Sequence, residues 1–150
     1  MPRIAGRDET LTEFIHDVPA FGQAIGLEFT EVRDRVVFLE VPYAEHLVGD
    51  PDTGVIHGGV ITAALDNGSG WAIRHTDLWE EGISMATLDL RIDYMRPAVP
   101  GHDLLIEAEC YKKTRTIAFV RAVAYDEDVN DPVATSVAAF MLGTPNQPRE

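Results

Sequence analysis

Cysteine is nearly absent from this 150-residue sequence: Cys110 stands alone, so neither an intramolecular disulfide nor a multi-cysteine zinc site can form. Basic residues are scarce too, 12 Lys and Arg against 25 Asp and Glu, for a net charge of −13. A nucleic-acid groove would need a local cluster strong enough to overcome that repulsive field. No stretch approaches the roughly 18 apolar residues of a membrane helix. Residues 1–9 carry no apolar core of the secretory-signal kind, so the expected location is the cytoplasm. The five histidines, at 16, 46, 57, 75 and 102, have no metal-ligand spacing, and no metal is expected.

What the sequence does have is the material for one ordinary core. The apolar share is 45%, with 12 glycines and 9 prolines, which excludes disordered, collagen-like and low-complexity chains. A chain of this length can remove roughly 70% of its unfolded surface from water. No repeat or flexible linker interrupts it, so residues 1–150 read as a single domain with a helical extension at 1–24 and a loose tail at 144–150.

Thr10 followed by Glu13 reads as a capping box for a helix running towards Phe21, with Gly22 as its stop. Residues 27–32 and 35–41 are strand-like around a short turn, and Pro42 ends the second. Residues 58–75 differ, because Val60, Ile61, Ala63, Ala64, Leu65, Trp71, Ala72 and Ile73 leave little of a helical circumference polar. Such a helix is buried. Leu88, Leu90, Ile92 and Tyr94 then share one parity while Asp89, Arg91 and Asp93 take the other, a half-buried strand. Leu104, Ile106, Ala108 and Cys110 repeat that pattern, and 116–125 and 133–142 add two strands, which predicts a meander of four. The predicted class is α+β, a curled antiparallel sheet of five or six strands wrapped around one long central helix.

The informative stretch is His57-Gly58-Gly59 at the start of that helix. The first amides of a helix have no intrahelical acceptor, and two glycines let an anionic oxygen approach them. A turn that merely leads the chain into the helix is the plainer alternative. Asp66 is anomalous two to three turns into an apolar helix, where a carboxylate needs a partner or access to water. Lys112, Lys113 and Arg115 form the basic cluster, with Arg121 nearby; it suits either a solvated hairpin turn or a small phosphorylated ligand. Ser69, between Gly68 and Gly70, reads as helix packing, since no nucleophile elbow or parallel α/β pattern accompanies it. His75 reads as a favourable charge at a helix C-terminus.

His57-Gly58-Gly59, the acid Asp66 nine residues after the histidine, and Tyr94-Met95-Arg96-Pro97-Ala98 together resemble the hotdog-fold acyl-CoA thioesterases of the PaaI or 4-hydroxybenzoyl-CoA thioesterase type. The resemblance covers roughly residues 25–143. It implies that the Gly58 amide polarises a thioester carbonyl while His57 shapes the loop, with Gly59 beside the substrate. It makes Asp66 the nucleophile or general base, facing Gly58 of the partner subunit in a homodimer or dimer of dimers. The helix agrees, since eight residues at 1.5 Å each separate Gly58 from Asp66 by about 12 Å, too far to share one carbonyl. Thr87 falls where relatives place a hydroxyl that assists water. Tyr94, Met95, Arg96 and Pro97, and the turn Lys112, Lys113, Thr114, Arg115 and Thr116, fall where relatives contact coenzyme A. The resemblance implies no cofactor beyond the coenzyme A of the substrate. Asp50 is a departure, standing near where relatives carry Asn or Gln. Two other readings use the same pocket: a non-catalytic module binding acyl-CoA or an aromatic ligand, and a hotdog enoyl-CoA hydratase, disfavoured because the hydratase Asp and His are not placed here.

Overall fold

In the computed structural model, which describes residues 18–76 and 83–144, the described residues begin with a short helix, α1 (Ala20–Ala24), and a hairpin of β1 (Glu28–Arg33) and β2 (Val36–Val41). Asp34 and Arg35 both take left-handed φ, 50° and 69°, as a two-residue turn matched to strand twist requires. A 3-10 turn (Glu45–Leu47) leads to a small ribbon, β3 (Val48–Asp50) with β4 (Val55–Ile56). Helix α2 (Gly58–Arg74) follows, then β5 (Met85–Tyr94), β6 (Leu104–Lys113), β7 (Ile117–Tyr125) and β8 (Ala134–Leu142).

The six long strands make one antiparallel sheet in the order β1-β2-β6-β7-β8-β5. This is the expected α+β architecture, with one correction. The meander holds for β6, β7 and β8, whereas β5 pairs with β8 at the far edge. Residues 95–103 separate β5 from β6, too long a connection to enforce a tight hairpin, and the α2 crossover has already carried the chain across the sheet. The β3–β4 ribbon was invisible as periodicity because its strands have three and two residues.

Gly22 does not stop a helix: it lies inside α1, and the chain turns instead at Gly26, where φ is +77°. The remainder of the expected amino-terminal helix, from Thr10, lies outside the described residues, as does the tail beyond 144. Helix α2 packs on β2, β6 and β7 through Val60, Ile61, Ala64, Leu65, Ala72 and Ile73. Burying each large aliphatic side chain contributes about 1.5–3 kcal/mol. The helix approaches the sheet closely at Gly68, where a Cβ would lie 3.1 Å from Ile106 Cγ2. Contrary to the near-complete burial expected, Gly59, Thr62, Ala63, Asp66, Asn67 and Gly70 form a stripe on α2 that stays half-buried or exposed.

Ser69 is buried and donates its hydroxyl to Leu65 O at 2.8 Å, a packing role as expected. His75 caps the C-terminal end of α2, its Nδ1–H donating to Trp71 O at 2.8 Å. Its ring stacks on Phe29 with centroids 5.3 Å apart, and burial pushes its pKa down. No described helix is long and apolar enough to cross a membrane.

A buried ion pair pins the end of β5. Arg96 Nη1 and Nη2 donate to Asp126 Oδ2 and Oδ1 at 2.9 and 2.6 Å, and Val99 N–H donates to Oδ2 at 2.8 Å. Hydrogen bonding from Arg96 holds the Asp126 carboxyl far below the usual carboxylate range, against the opposing effect of its own burial. A depressed folded-state pKa contributes stability that is complete above the ordinary value of 3.8 and is lost as pH falls through the depressed value. Asp126→Asn should therefore cost about 1–2 kcal/mol at neutral pH, because Arg96 loses its bidentate carboxylate and keeps only Asp131, with Oδ2 at 3.4 Å and the carbonyl at 2.8 Å. The variant should also lose less stability than the wild type on acidification. Urea denaturation of both proteins from neutral pH to about pH 3 checks this, and parallel acid limbs would refute it.

Candidate active site

The ribbon delivers His57 to the start of α2. His57 N–H donates to Leu47 O at 2.8 Å, and the backbone of Gly49 lies against the histidine, where a Cβ would be 2.8 Å from His57 Cα. The His57 ring turns back over the helix, and its Nδ1 accepts the Gly59 N–H at 2.8 Å. An accepting Nδ1 places the proton of the neutral ring on Nε2. Val60 N–H donates to His57 O at 2.9 Å. Two amides of the first turn are thus engaged, and the Gly58 N–H has no acceptor among the described residues.

The two glycines therefore do different work. A Cβ on Gly59 would meet His57 Nδ1 at 2.8 Å, so the histidine cap itself requires glycine there. A Cβ on Gly58 would meet only Tyr94 Cε1, at an ordinary 3.8 Å, which leaves the approach to its amide open. The Gly58 carbonyl is held as well. The hydroxyls of Thr62 and Tyr94 hydrogen-bond one another, and each lies 3.2 Å from Gly58 O. The Gly58–Gly59 peptide is consequently fixed on both sides, by His57 at its N–H and by two hydroxyls at its oxygen.

Asp66 is half-buried on the open stripe of α2 and does have a partner: Thr87 Oγ1 donates to its Oδ1 at 2.9 Å. A bulge makes this contact possible. Thr87 pairs with Phe140 and Asp89 with Ala139, so Leu88 is an extra residue in β5. Thr87 then shares the face of inward-pointing Phe140, towards the helix, where strict alternation would have placed it outside. Leu88, expected inside, is 52% exposed instead.

Asp50 turns its carboxylate into its own loop, accepting from the Asp52 N–H at 3.1 Å and the Thr53 hydroxyl at 2.8 Å. Arg96 is committed to Asp126, while Met95 beside it is exposed and Pro97 lies on the rim of the same loop. Lys112 and Lys113 end β6, and Thr114 builds the hairpin, its Oγ1 accepting from Ile117 N–H at 3.0 Å, with Arg115 and Thr116 exposed at the tip. Lys113 Nζ donates to Thr76 Oγ1 at 3.4 Å, which sets this basic turn beside the C-terminal end of α2. Gly58 is at the opposite end. Thr62 and Gly49 were missed from the sequence. Thr62 stands one helical turn after Gly58, a readable spacing, whereas the contact of Gly49 with His57 depends on the ribbon. Among the described residues, no group of three His, Cys, Asp or Glu could hold a metal ion.

Comparison with known proteins bears on this arrangement. The profile of the thioesterase superfamily matches residues 53–133. A medium/long-chain acyl-CoA thioesterase of Salmonella typhimurium, YigI, is 28% identical over 87% of this chain and 89% of its own length. A crystal structure of a Pseudomonas aeruginosa protein is 37% identical and superposes with a TM-score of 0.75, covering 86% of this chain and 93% of that one. A thioesterase of Haemophilus influenzae, 19% identical, shares the fold at a TM-score of 0.78 over 93% and 94% of the two chains.

The unequal roles of the glycines generate a test. Gly59→Ala should displace the His57 ring and lower stability by about 1 kcal/mol, the usual worth of a helix cap. Gly58→Ala should be neutral or slightly stabilising, since alanine favours helix. Thermal denaturation of the two variants separates them, and equal melting temperatures would contradict the division.

Proposed function

The chain belongs to the thioesterase superfamily and is a thioester hydrolase of the hotdog fold, and we propose that it hydrolyses acyl-CoA thioesters to a free acid and coenzyme A. One observation carries this reading: an amide without an acceptor at the start of α2, and a carboxylate with a fixed hydroxyl partner on the open stripe of the same helix. The Gly58 N–H, reinforced by the partial positive charge of the helix N-terminus, receives the carbonyl oxygen as it becomes negative. Asp66 supplies the other half of the chemistry. Its carboxylate either adds to the carbonyl carbon, forming an anhydride that water opens, or takes a proton from a water molecule that adds there. In both routes the C–S bond breaks, its electron pair leaves on sulfur, and the sulfur gains the proton that water gives up. Thr87 occupies Oδ1 of Asp66, which leaves Oδ2 for substrate or water.

The proposed site takes Gly58 from one subunit and Asp66 with Thr87 from its partner. Two features support this. Gly58 and Asp66 are about 12 Å apart along one helix, by 1.5 Å for each of eight residues. And β5 ends the sheet with exposed Leu88 and Tyr94, followed by exposed Met95, an edge that a second copy can cover in a symmetric pair. Helix α2 is 17 residues long, roughly 25 Å, so the basic turn at its C-terminal end lies far from Gly58 of the same chain. The turn that meets the phosphates of coenzyme A is then the one on the subunit that contributes Asp66. The naming of the Salmonella relative for acyl-CoA supports the substrate class. The proposed setting is the cytoplasm.

Asp66→Asn should lower kcat about 100-fold or more with no loss of thermal stability, and Thr87→Val about tenfold with little change in KM. Free-thiol release from acyl-CoA thioesters is the measurement. Undiminished turnover in Asp66→Asn would remove that residue from the mechanism.

A further inference from the structure

We infer that the cleft beneath α1 receives the hydrocarbon part of an unsubstituted aliphatic acyl group and that Phe21 and Ala24 set its length, an inference that rests on the acyl-CoA reading above. The cleft, of about 420 Å³, opens between α1, the 3-10 turn and the first turn of α2. That volume falls among small-molecule pockets, roughly 300–1,000 Å³. Phe21, Ala24 and Ile25 line it from one side, and Leu47, Val48 and Val60 from the other. Ile25, Leu47 and Val60 are buried, whereas Phe21 is 64% exposed. An exposed phenyl ring lining an apolar cleft gains when a hydrocarbon displaces the water against it.

The polar features of the cleft lie at defined points. His46 is used in the wall, its Nε2–H donating to Ala24 O at 3.0 Å and tying α1 to the 3-10 turn. His57 and Gly59 mark the other end, in the turn that presents the Gly58 N–H. Leu47 O accepts the His57 N–H at 2.8 Å, so the apolar wall and the donor turn form one hydrogen-bonded unit. A ligand with one polar end and a hydrocarbon remainder matches this layout, with its carbonyl at Gly58 and its chain under α1. A hydroxyl or carboxylate at the far end of the acyl group would lose hydration with no further polar side chain among the described lining residues. Each methylene that the cleft covers favours the bound state by up to about fourfold.

The test compares kcat/KM for straight-chain substrates from butyryl-CoA to palmitoyl-CoA, with hydroxybenzoyl-CoA alongside, in the wild type, Ala24→Phe and Phe21→Ala. Wild-type kcat/KM should rise with chain length until the cleft is full. Ala24→Phe should lower it about tenfold or more on the longest chains that the wild type accepts while leaving butyryl-CoA within about twofold. Phe21→Ala should flatten the rise. Both side chains are exposed, and thermal melts check folding; should Ala24→Phe fail to fold, Phe21→Ala decides alone. Hydrolysis with a chain-length profile that the folded variants leave unmoved, or a preference for hydroxybenzoyl-CoA, overturns the inference and leaves the acyl-CoA reading standing. Failure of the wild type to cleave any coenzyme A ester overturns that reading itself.

Discussion

The first turn of α2 has more amide donors than the described residues provide acceptors, and the rest of the site follows from how that shortage is resolved. His57 satisfies Gly59 through its ring and Val60 through its carbonyl, and the Gly58 N–H is left over. A buried amide in that state would cost the chain stability, so the open approach at Gly58 matters as much as the missing acceptor. The surrounding structure fixes this one donor. Gly49 lets the β3 backbone lie against His57, Leu47 O holds the His57 amide, and Thr62 with Tyr94 holds the Gly58 carbonyl. A donor that is already aimed needs no reorganisation when charge develops on the oxygen it faces.

Strand β5 serves the site in two further ways. Its bulge at Leu88 turns Thr87 onto the helix face to meet Asp66, and its last residue, Tyr94, reaches the start of α2. An edge strand that carries such contacts has to be anchored, and Arg96 does this from just beyond its end by gripping Asp126 near the end of β7. The guanidinium at position 96 is therefore a structural clamp. In a chain of net charge −13, the turn from Lys112 to Arg115 gathers three basic side chains.

Much of this was legible in the sequence, and the parts that were not share a physical cause. Periodicity located β1, β2, β6, β7, β8 and α2 because each is long enough to bury a face, and the half-buried acid in α2 drew attention to Asp66 before any partner was known. The pairing of β5 with β8 was not legible, because strand order depends on the path of the α2 crossover. Alternation put Leu88 inside and Thr87 outside; the bulge reverses both, and a one-residue insertion leaves no trace in hydrophobic pattern. The resemblance set Arg96 where relatives contact coenzyme A and Asp50 near where they carry Asn or Gln, but the partners that these side chains take depend on the tertiary fold. Asp126 lies 30 residues from Arg96, and Asp50 folds into its own loop. Gly59 was read as an opening for a ligand, whereas its lack of a side chain is what lets His57 cap the helix.

In the proposed site the Gly58 amide of one subunit meets Asp66 of another, and mixing two disabled chains tests this. One chain carries Asp66→Asn and the other Gly58→Pro, which removes the donor while suiting the first position of a helix. His57, with ψ at 133°, already has the extended backbone that a residue before proline prefers. Each parent alone should be nearly inactive. After equimolar subunit exchange, verified by native mass spectrometry, half of the dimers should be mixed, each with one intact site, and turnover should return to about a quarter of the wild-type value per chain. Activity that stays at the parental background despite verified exchange would contradict the shared site.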